Sequence, residues 1–331
     1  MTREEYKKLL LGRVYEVFYK EKQPYGPVNI WAFSKALNVD PQLGFQVIDE
    51  LRETDYIATE LAGGTYEFGP AALLLCEKHG LADSALIDYQ RNIRLKLLVT
   101  LAEKQELAGL GDGIPWQDWI RAAAVDEEDF NRNLGIMIYQ NLVINDAGSP
   151  YDYVITTTGR DIYADYRKRV RRAEDFERLE KLEGVTEQQR GHKLEDLLAD
   201  SAEWEGWEVT RRVRAQGQEN DIIMHVGLNY FLNSCKWESD PIQSVEVDIL
   251  FSRVHSRAQT NGGIIFSMSG FTDNCIEEIR LKIGTARIIA FGCADIKLIM
   301  CNETTMTSLL DEKIDQLMNH RTVLIDGINH N

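Results

Sequence analysis

The sequence predicts a multi-domain chain, α+β through its N-terminal half and α/β in its C-terminal part. Three observations predict it. The 331 residues exceed what one core usually organises and point to about two or three domains. An internal repeat runs through the first half at a constant offset of 86 residues. From Arg190 onward, a helical pattern precedes three closely spaced strand patterns and then alternating helices and strands.

The repeat can be followed residue by residue. Val39-Asp40-Pro41-Gln42, with Ile48, Leu51, Tyr56 and Ile57 behind it, matches Val125-Asp126-Glu127-Glu128, with Leu134, Met137, Leu142 and Val143. Asp40 and Asp126 are placed to cap helix N-termini, and Pro41 follows where its missing N–H costs nothing. Earlier helices are expected over about 4–19 with 30–37, and over about 88–104 with 115–123. After each third helix, two β-rich runs flank a glycine-containing turn, at Ala62-Gly63-Gly64 and at Gly148-Ser149-Pro150, and read as hairpins. Closing helices are expected near 71–78 and 158–169. Three helices and a two-stranded wing, twice over, resemble tandem winged helix-turn-helix domains, at 1–82 and 83–170. The charged, helical stretch 171–189 reads as a linker.

The formal net charge of −16 opposes casual nucleic-acid binding, since affinity for DNA comes mainly from Lys and Arg on phosphates. Any DNA-facing surface must be local. The third helices are poor in cations: Arg52 stands among Asp49, Glu50 and Glu53, and Arg132 among Glu127, Glu128 and Asp129. Winged helices that read DNA do so through this helix, so protein contact, dimerisation or spacing suits the acidic pair better. The densest basic run, Arg167, Lys168, Arg169, Arg171 and Arg172, is read at a helix end as either a solvated charged face or a set of DNA-phosphate contacts.

Several classes are disfavoured. No apolar run approaches the roughly 20 residues of a membrane span. The opening Met1-Thr2-Arg3-Glu4-Glu5 lacks a secretory apolar core, so no membrane partner and a cytoplasmic location are expected. Cys76, Cys235, Cys275, Cys293 and Cys301 form no CxxC pair and an odd set, which suits reduced thiols rather than disulfides or zinc. There is no phosphate-loop Gly-Lys-Ser/Thr and no nucleophile elbow around Ser269.

In the C-terminal domain, 190–331, the first helix carries Glu195. A strand follows over 206–213. Gly217-x-Glu219-x-Asp221 heads a second, and 229–237 forms a third, ending in Cys235-Lys236-Trp237. A helix is expected over 242–258, then a buried strand over 263–268, Gly270-Phe271-Thr272, a further helix, and a strand over 286–291. This order and these motifs resemble the Mrr-type branch of the PD-(D/E)XK restriction endonucleases, over roughly Arg190 to Gly327. The expected fold is a restriction-endonuclease-like mixed β-sheet flanked by helices.

The resemblance implies a Mg²⁺- or Mn²⁺-dependent DNA endonuclease of a restriction or phage-defence type. It assigns metal ligands to the Asp221 carboxylate and the Cys235 carbonyl, charge stabilisation to Lys236, and a metal-bound water to Glu195. Hydrolysis of a phosphodiester needs those parts: a Lewis acid, an activated water and a cation on the phosphate. One position departs from the pattern. Two residues before Lys236, where the family has Glu, Asp or Gln, this chain has Ser234, and a hydroxyl is a poor Mg²⁺ ligand. Either the domain has ceased to cut and serves as a DNA- or protein-binding scaffold, or the acid comes from elsewhere. Glu246, ten residues past Lys236 in the next helix, is the first candidate, with Asp248 close by. Glu238 is the second, and Glu219 shares a strand face with Asp221 by period-two alternation. Double-strand cutting requires two sites, so a homodimer is expected. His192, His225 and His255 read as surface or packing residues.

Overall fold

The computed structural model describes residues 1–23, 26–109, 112–181, 186–213, 221–256, 262–283 and 287–330, with the backbone alone at 212, 213, 221 and 329. The described chain divides into two units, Met1–Tyr166 and Arg167–Asn331.

The first unit contains one element order twice. Its first copy is α1 (Arg3–Tyr19), β1 (Val28–Asn29), α2 (Ile30–Ala36), α3 (Pro41–Glu53), β2 (Ile57–Leu61), β3 (Thr65–Phe68) and α4 (Pro70–His79). The second is α5 (Ser84–Ala108), β4 (Ile114–Pro115), α6 (Trp116–Ala123), α7 (Glu127–Tyr139), β5 (Val143–Asp146), β6 (Ser149–Ile155) and the start of α8 (Thr157–Lys181), whose residues from Arg167 on belong to the second unit. Each copy forms a three-stranded antiparallel sheet with its last strand in the middle, β1-β3-β2 and β4-β6-β5. The expected caps are present. Asp40 accepts from the Gln42 N–H and Asp126 from the Asp129 N–H, which satisfies donors that a helix start leaves open. The offset of 86 persists in the backbone. Asn38 and Ala124 end α2 and α6 with φ of 55° and 46°, and Asp55 and Asn141 end α3 and α7 with φ of 58° and 54°. Asn and Asp tolerate this left-handed conformation better than other non-glycine residues.

The two copies interlock. Ile136, on α7, is buried in the core of the first copy. Arg132 donates to the Phe18 carbonyl, and Lys22 pairs with Glu128. Beneath them lies a buried polar cluster. The Arg94 guanidinium pairs with Glu77 and donates to Asn133 Oδ1 at 3.0 Å and to the Tyr19 hydroxyl at 3.2 Å. Tyr15 donates to Glu77 at 2.8 Å, and Asn133 donates to Gln90 at 2.8 Å. Burial pushes the Tyr15 and Tyr19 phenols above their ordinary range, so both stay neutral, Tyr15 donating to Glu77 and Tyr19 accepting from Arg94.

The second unit is built on a five-stranded mixed sheet. After α9 (Glu187–Trp204) come β7 (Glu208–Val213), β8 (Asp221–Val226) and β9 (Asn229–Lys236), an antiparallel meander. α10 (Ser244–Ser256) crosses over to β10 (Gly262–Ser267), and α11 (Asp273–Lys282) to β11 (Arg287–Phe291), giving the order β11-β10-β9-β8-β7. β10 is parallel to both neighbours and buried along its whole length, which is why Gly-Gly-Ile-Ile-Phe-Ser reads as a continuous rather than alternating run. Gly263 lets α10 approach: a Cβ there would stand 2.8 Å from Leu250. α12 (Cys293–Met300) packs on α9, and α10 packs on α11. α13 (Met306–Asp315), a π-helical turn at Gln316–His320, and the hairpin β12 (Val323–Ile325) and β13 (Ile328–His330) complete the unit. A buried pair anchors this end: Lys313 donates to Asp295 at 2.8 Å and to the Leu324 carbonyl at 2.7 Å.

Two expectations are corrected. The stretch 171–189 is not a bare linker: through residue 181 it continues α8, and Phe176 and Leu179 are buried in the core of the second unit. The basic run lies inside α8, not at its end. Arg169 and Arg172 stack on Trp204, with guanidinium-to-ring distances of 4.0 and 5.7 Å, and Arg172 is buried and bonded to Asn302. Arg167, Lys168 and Arg171 are exposed. No helix among the described residues is long and apolar enough to cross a membrane.

Candidate active site

The last three residues of β9, Ser234, Cys235 and Lys236, open into a cavity of about 600 Å³. Open α/β sheets place ligands at the carboxyl ends of their parallel strands, and β9 is parallel to β10 here, with Lys236 in register with Ser267. One wall comes from α9, through Gly191, His192 and Glu195, and another from α10, through Glu246, Ile249 and Arg253.

The charged groups meet as follows. Lys236 Nζ lies 3.1 Å from Glu246 Oε2 and 3.8 Å from Glu238 Oε1. Lys236 and Glu246 are each a little over a quarter exposed, at 27% and 29%, so their pair is open enough to reach a ligand and be screened by water. Glu195 lies 3.4 Å from His192 Nδ1. The Cys235 thiol is pushed well above its ordinary range, first by burial and then by the Glu195 charge. That direction favours the protonated thiol, and hard cations prefer oxygen, so the group of this residue that suits Mg²⁺ is its carbonyl.

Of the residues singled out from the sequence, Lys236, Glu246, Glu195, Cys235 and Ser234 share this cavity. Glu238 lines it too, whereas Asp248 pairs with Lys282 at 2.7 Å. Asp221 opens β8, one residue before Ile222, which pairs with Asn233; its side chain, and Glu219 altogether, lie outside the described residues. His192, read as a bland residue, stands in the wall. Asn233, Gly191 and Arg253 were not singled out. The spacing of 246, 249, 250 and 253 on one helical face was the available signal for Arg253.

The donor set suits a hydrated hard cation. Among the described residues no cluster of three or more His, Cys, Asp or Glu side chains converges as a metal cage. What the cavity offers is oxygen: the carboxylates of Glu187, Glu195, Glu238 and Glu246 and the Cys235 carbonyl. Asn233 Oδ1, two residues before Cys235 on β9, is buried without a hydrogen-bond partner. Mg²⁺ is held in this manner, by one or two carboxylates with several waters retained, rather than by an all-protein cage.

Comparison with known proteins bears on this segment. Residues 186–293 match the family model Mrr_cat, described as a restriction endonuclease. A search of curated proteins found no match. Among solved structures, the restriction endonuclease FokI is similar at 9% identity with a TM-score of 0.29, covering 82% of this chain and 60% of that one. FokI bound to DNA is similar at 10% identity with a TM-score of 0.24, covering 81% and 59%. The chain thus spans about three-fifths of the length of those chains. The match from Glu187 on α9 to Cys293 at the start of α12 takes in the whole sheet and both walls of the cavity, and residues 186–293 carry a restriction-endonuclease domain of the Mrr catalytic family.

Proposed function

We propose that the chain is a Mg²⁺- or Mn²⁺-dependent DNA endonuclease of a restriction or phage-defence type, whose missing acid is supplied by Glu246. The observation that carries this reading is the 3.1 Å approach of Glu246 to Lys236 in the cavity that also contains Ser234, Cys235 and Glu195. When bound, the cation polarises the phosphoryl oxygen and lowers the pKa of a water. The carboxylates of Asp221 and Glu246 and the Cys235 carbonyl would hold it. Lys236 places its ammonium on the phosphate, where negative charge grows as the scissile bond breaks. Glu246 holds that ammonium in place, and Glu195 orients a water from the α9 side.

The two repeats of the first unit are read as tandem winged helix-turn-helix domains serving positioning, dimerisation or regulation. Reading of DNA by α7 is disfavoured, because Ile136, Arg132 and Glu128 are engaged by the first copy. The exposed residues of α3 include Asp49, Glu50 and Glu53, an acidic face that suits a protein partner. A homodimer would bring two sites to a duplex.

Plasmid incubated with the chain and Mg²⁺ or Mn²⁺ tests the reading. Lys236→Ala and Asp221→Ala should each slow cutting by about 100-fold or more, on the scale of losing one charge-stabilising group. Glu246→Ala should do likewise. Undiminished cutting by Glu246→Ala would refute the replacement of the acid, and no cutting by the wild type under any of these conditions, phage DNA included, would favour a scaffold.

A further inference from the structure

We infer that Arg253 is a substrate-positioning residue that grips a backbone phosphate flanking the scissile one, with Ile249 packed on the sugars between them. The inference rests on the nuclease reading and deepens it by naming how the strand is held. Among the described residues that line the cavity, the carboxylates of Glu187, Glu195, Glu238 and Glu246 face two permanent cations, Lys236 and Arg253. A nucleic-acid strand carries a negative charge at every phosphate, so it settles against such a wall only where cations meet it. Lys236 lies 3.1 Å from Glu246 Oε2 and serves the reacting phosphate. Arg253 is then the lining cation that can serve a neighbouring one.

The spacing on α10 sets which phosphate it meets. Glu246, Ile249 and Arg253 all line the cavity, and steps of three and four residues keep them on one helical face. At the rise of an α-helix, Arg253 lies about 10 Å along the axis from Glu246, and Ile249 about 4.5 Å. A strand laid along α10 advances about 3.4 Å per phosphate in duplex form, which puts the arginine about two or three phosphates from the one at Glu246. Between them Ile249, 40% exposed, offers an apolar rung to the sugars. The guanidinium has five donors in a fork that matches a phosphate, enough to keep the contacts it makes within the protein and take the ligand as well. Arg253 also stands in the last turn of α10, where a cation complements the helix dipole. That role needs the charge and no strand, so the two roles separate by experiment.

Arg253 is outside the buried core, so Arg253→Gln spares the fold. Single-turnover cutting of a duplex in Mg²⁺, across protein and NaCl concentrations, separates binding from chemistry. The half-saturating concentration should rise about ten-fold in Arg253→Gln, the lower range for losing a hydrogen bond to a charged group. The slope of log affinity against log salt should flatten by about 0.9, the value of one phosphate contact. The saturated rate should stay within a few-fold of wild type, whereas Lys236→Ala loses that rate. Arg253→Lys keeps the charge and should hold the wild-type slope. Ile249→Ala should weaken half-saturation and leave the slope alone. An active Arg253→Gln with wild-type half-saturation and slope would overturn the inference alone. So would a loss confined to the saturated rate, or weaker binding at unchanged slope with a lowered melting temperature, the pattern of a helix-end role. A wild type that does not cut would overturn the nuclease reading and this inference with it.

Discussion

Arg94→Met is the most informative single perturbation of the first unit. The Arg94 side chain is 8% exposed and its partner Glu77 is 4% exposed. Removing the guanidinium leaves a carboxylate buried with two remaining partners, the Tyr15 hydroxyl at 2.8 Å and the half-exposed Arg91 at 3.6 Å. Breaking a buried ion pair from one side costs about 3–5 kcal/mol. Because Tyr15 and Arg91 stay in place, the lower end, about 3 kcal/mol, is expected. Met fills most of the volume, so the loss is electrostatic rather than a cavity effect. Amide hydrogen exchange of α4, α5 and α7, resolved by mass spectrometry, reads the change locally, and exchange through opening of this seam should quicken roughly 100-fold. The double variant Glu77→Leu/Arg94→Met removes both charges and should recover part of the loss, since the isolated carboxylate rather than the missing bond carries most of the penalty. Exchange within a few-fold of wild type for Arg94→Met, or a double variant looser than the single one, would refute the reasoning.

Two further perturbations follow from buried groups. Asp295→Ala strands Lys313, which is 2% exposed and whose pKa is already lowered, first by burial; a loss of about 3 kcal/mol or more is expected, with the β12–β13 hairpin first to lose protection from exchange. Burial pushes the Cys76 and Cys275 thiols up to about 12. A pKa raised on folding contributes stability that is complete below the unfolded value of about 8.5 and is lost as pH climbs towards the folded one. The unfolding free energy from urea titrations should therefore fall between pH 9 and 11, by up to about 1.4 kcal/mol per pH unit for each thiol. Cys76→Ala should flatten the slope in the first unit, and an unchanged slope would count against the cause.

Much of this molecule is legible locally. The caps at Asp40 and Asp126, the turn at Gly63-Gly64 and the meander before α10 are signalled within a few residues of where they act, and they stand where the pattern puts them. The second turn lies one residue earlier than expected, at Ala147-Gly148, with Ser149 and Pro150 already in β6. The family resemblance is borne out by the match at residues 186–293. What the pattern hides is long-range. That α7 faces the first copy depends on Ile136 meeting a core some 60 to 130 residues earlier in the chain, and Ile136 looks like any helical apolar residue. That 171–181 is core rather than linker depends on Phe176 and Leu179, whose spacing of three is diluted by charged neighbours. Asn233 is invisible for a different reason: an asparagine within a strand signals nothing until its neighbours show which of its polar atoms goes unanswered.

The seam around Ile136 and Arg94 bears on how such a protein can be taken apart or recombined. The repeat suggests a pair of beads on a string, each able to travel alone. A chain ended after the first copy would instead lose the cover over its own core and leave Glu77 without its cation, and a chain begun at the second would open an apolar stripe on α7 to water. The two copies form an interlocked couple. The smallest piece that can be transplanted onto another effector, or exchanged between relatives, is the couple and not the repeat.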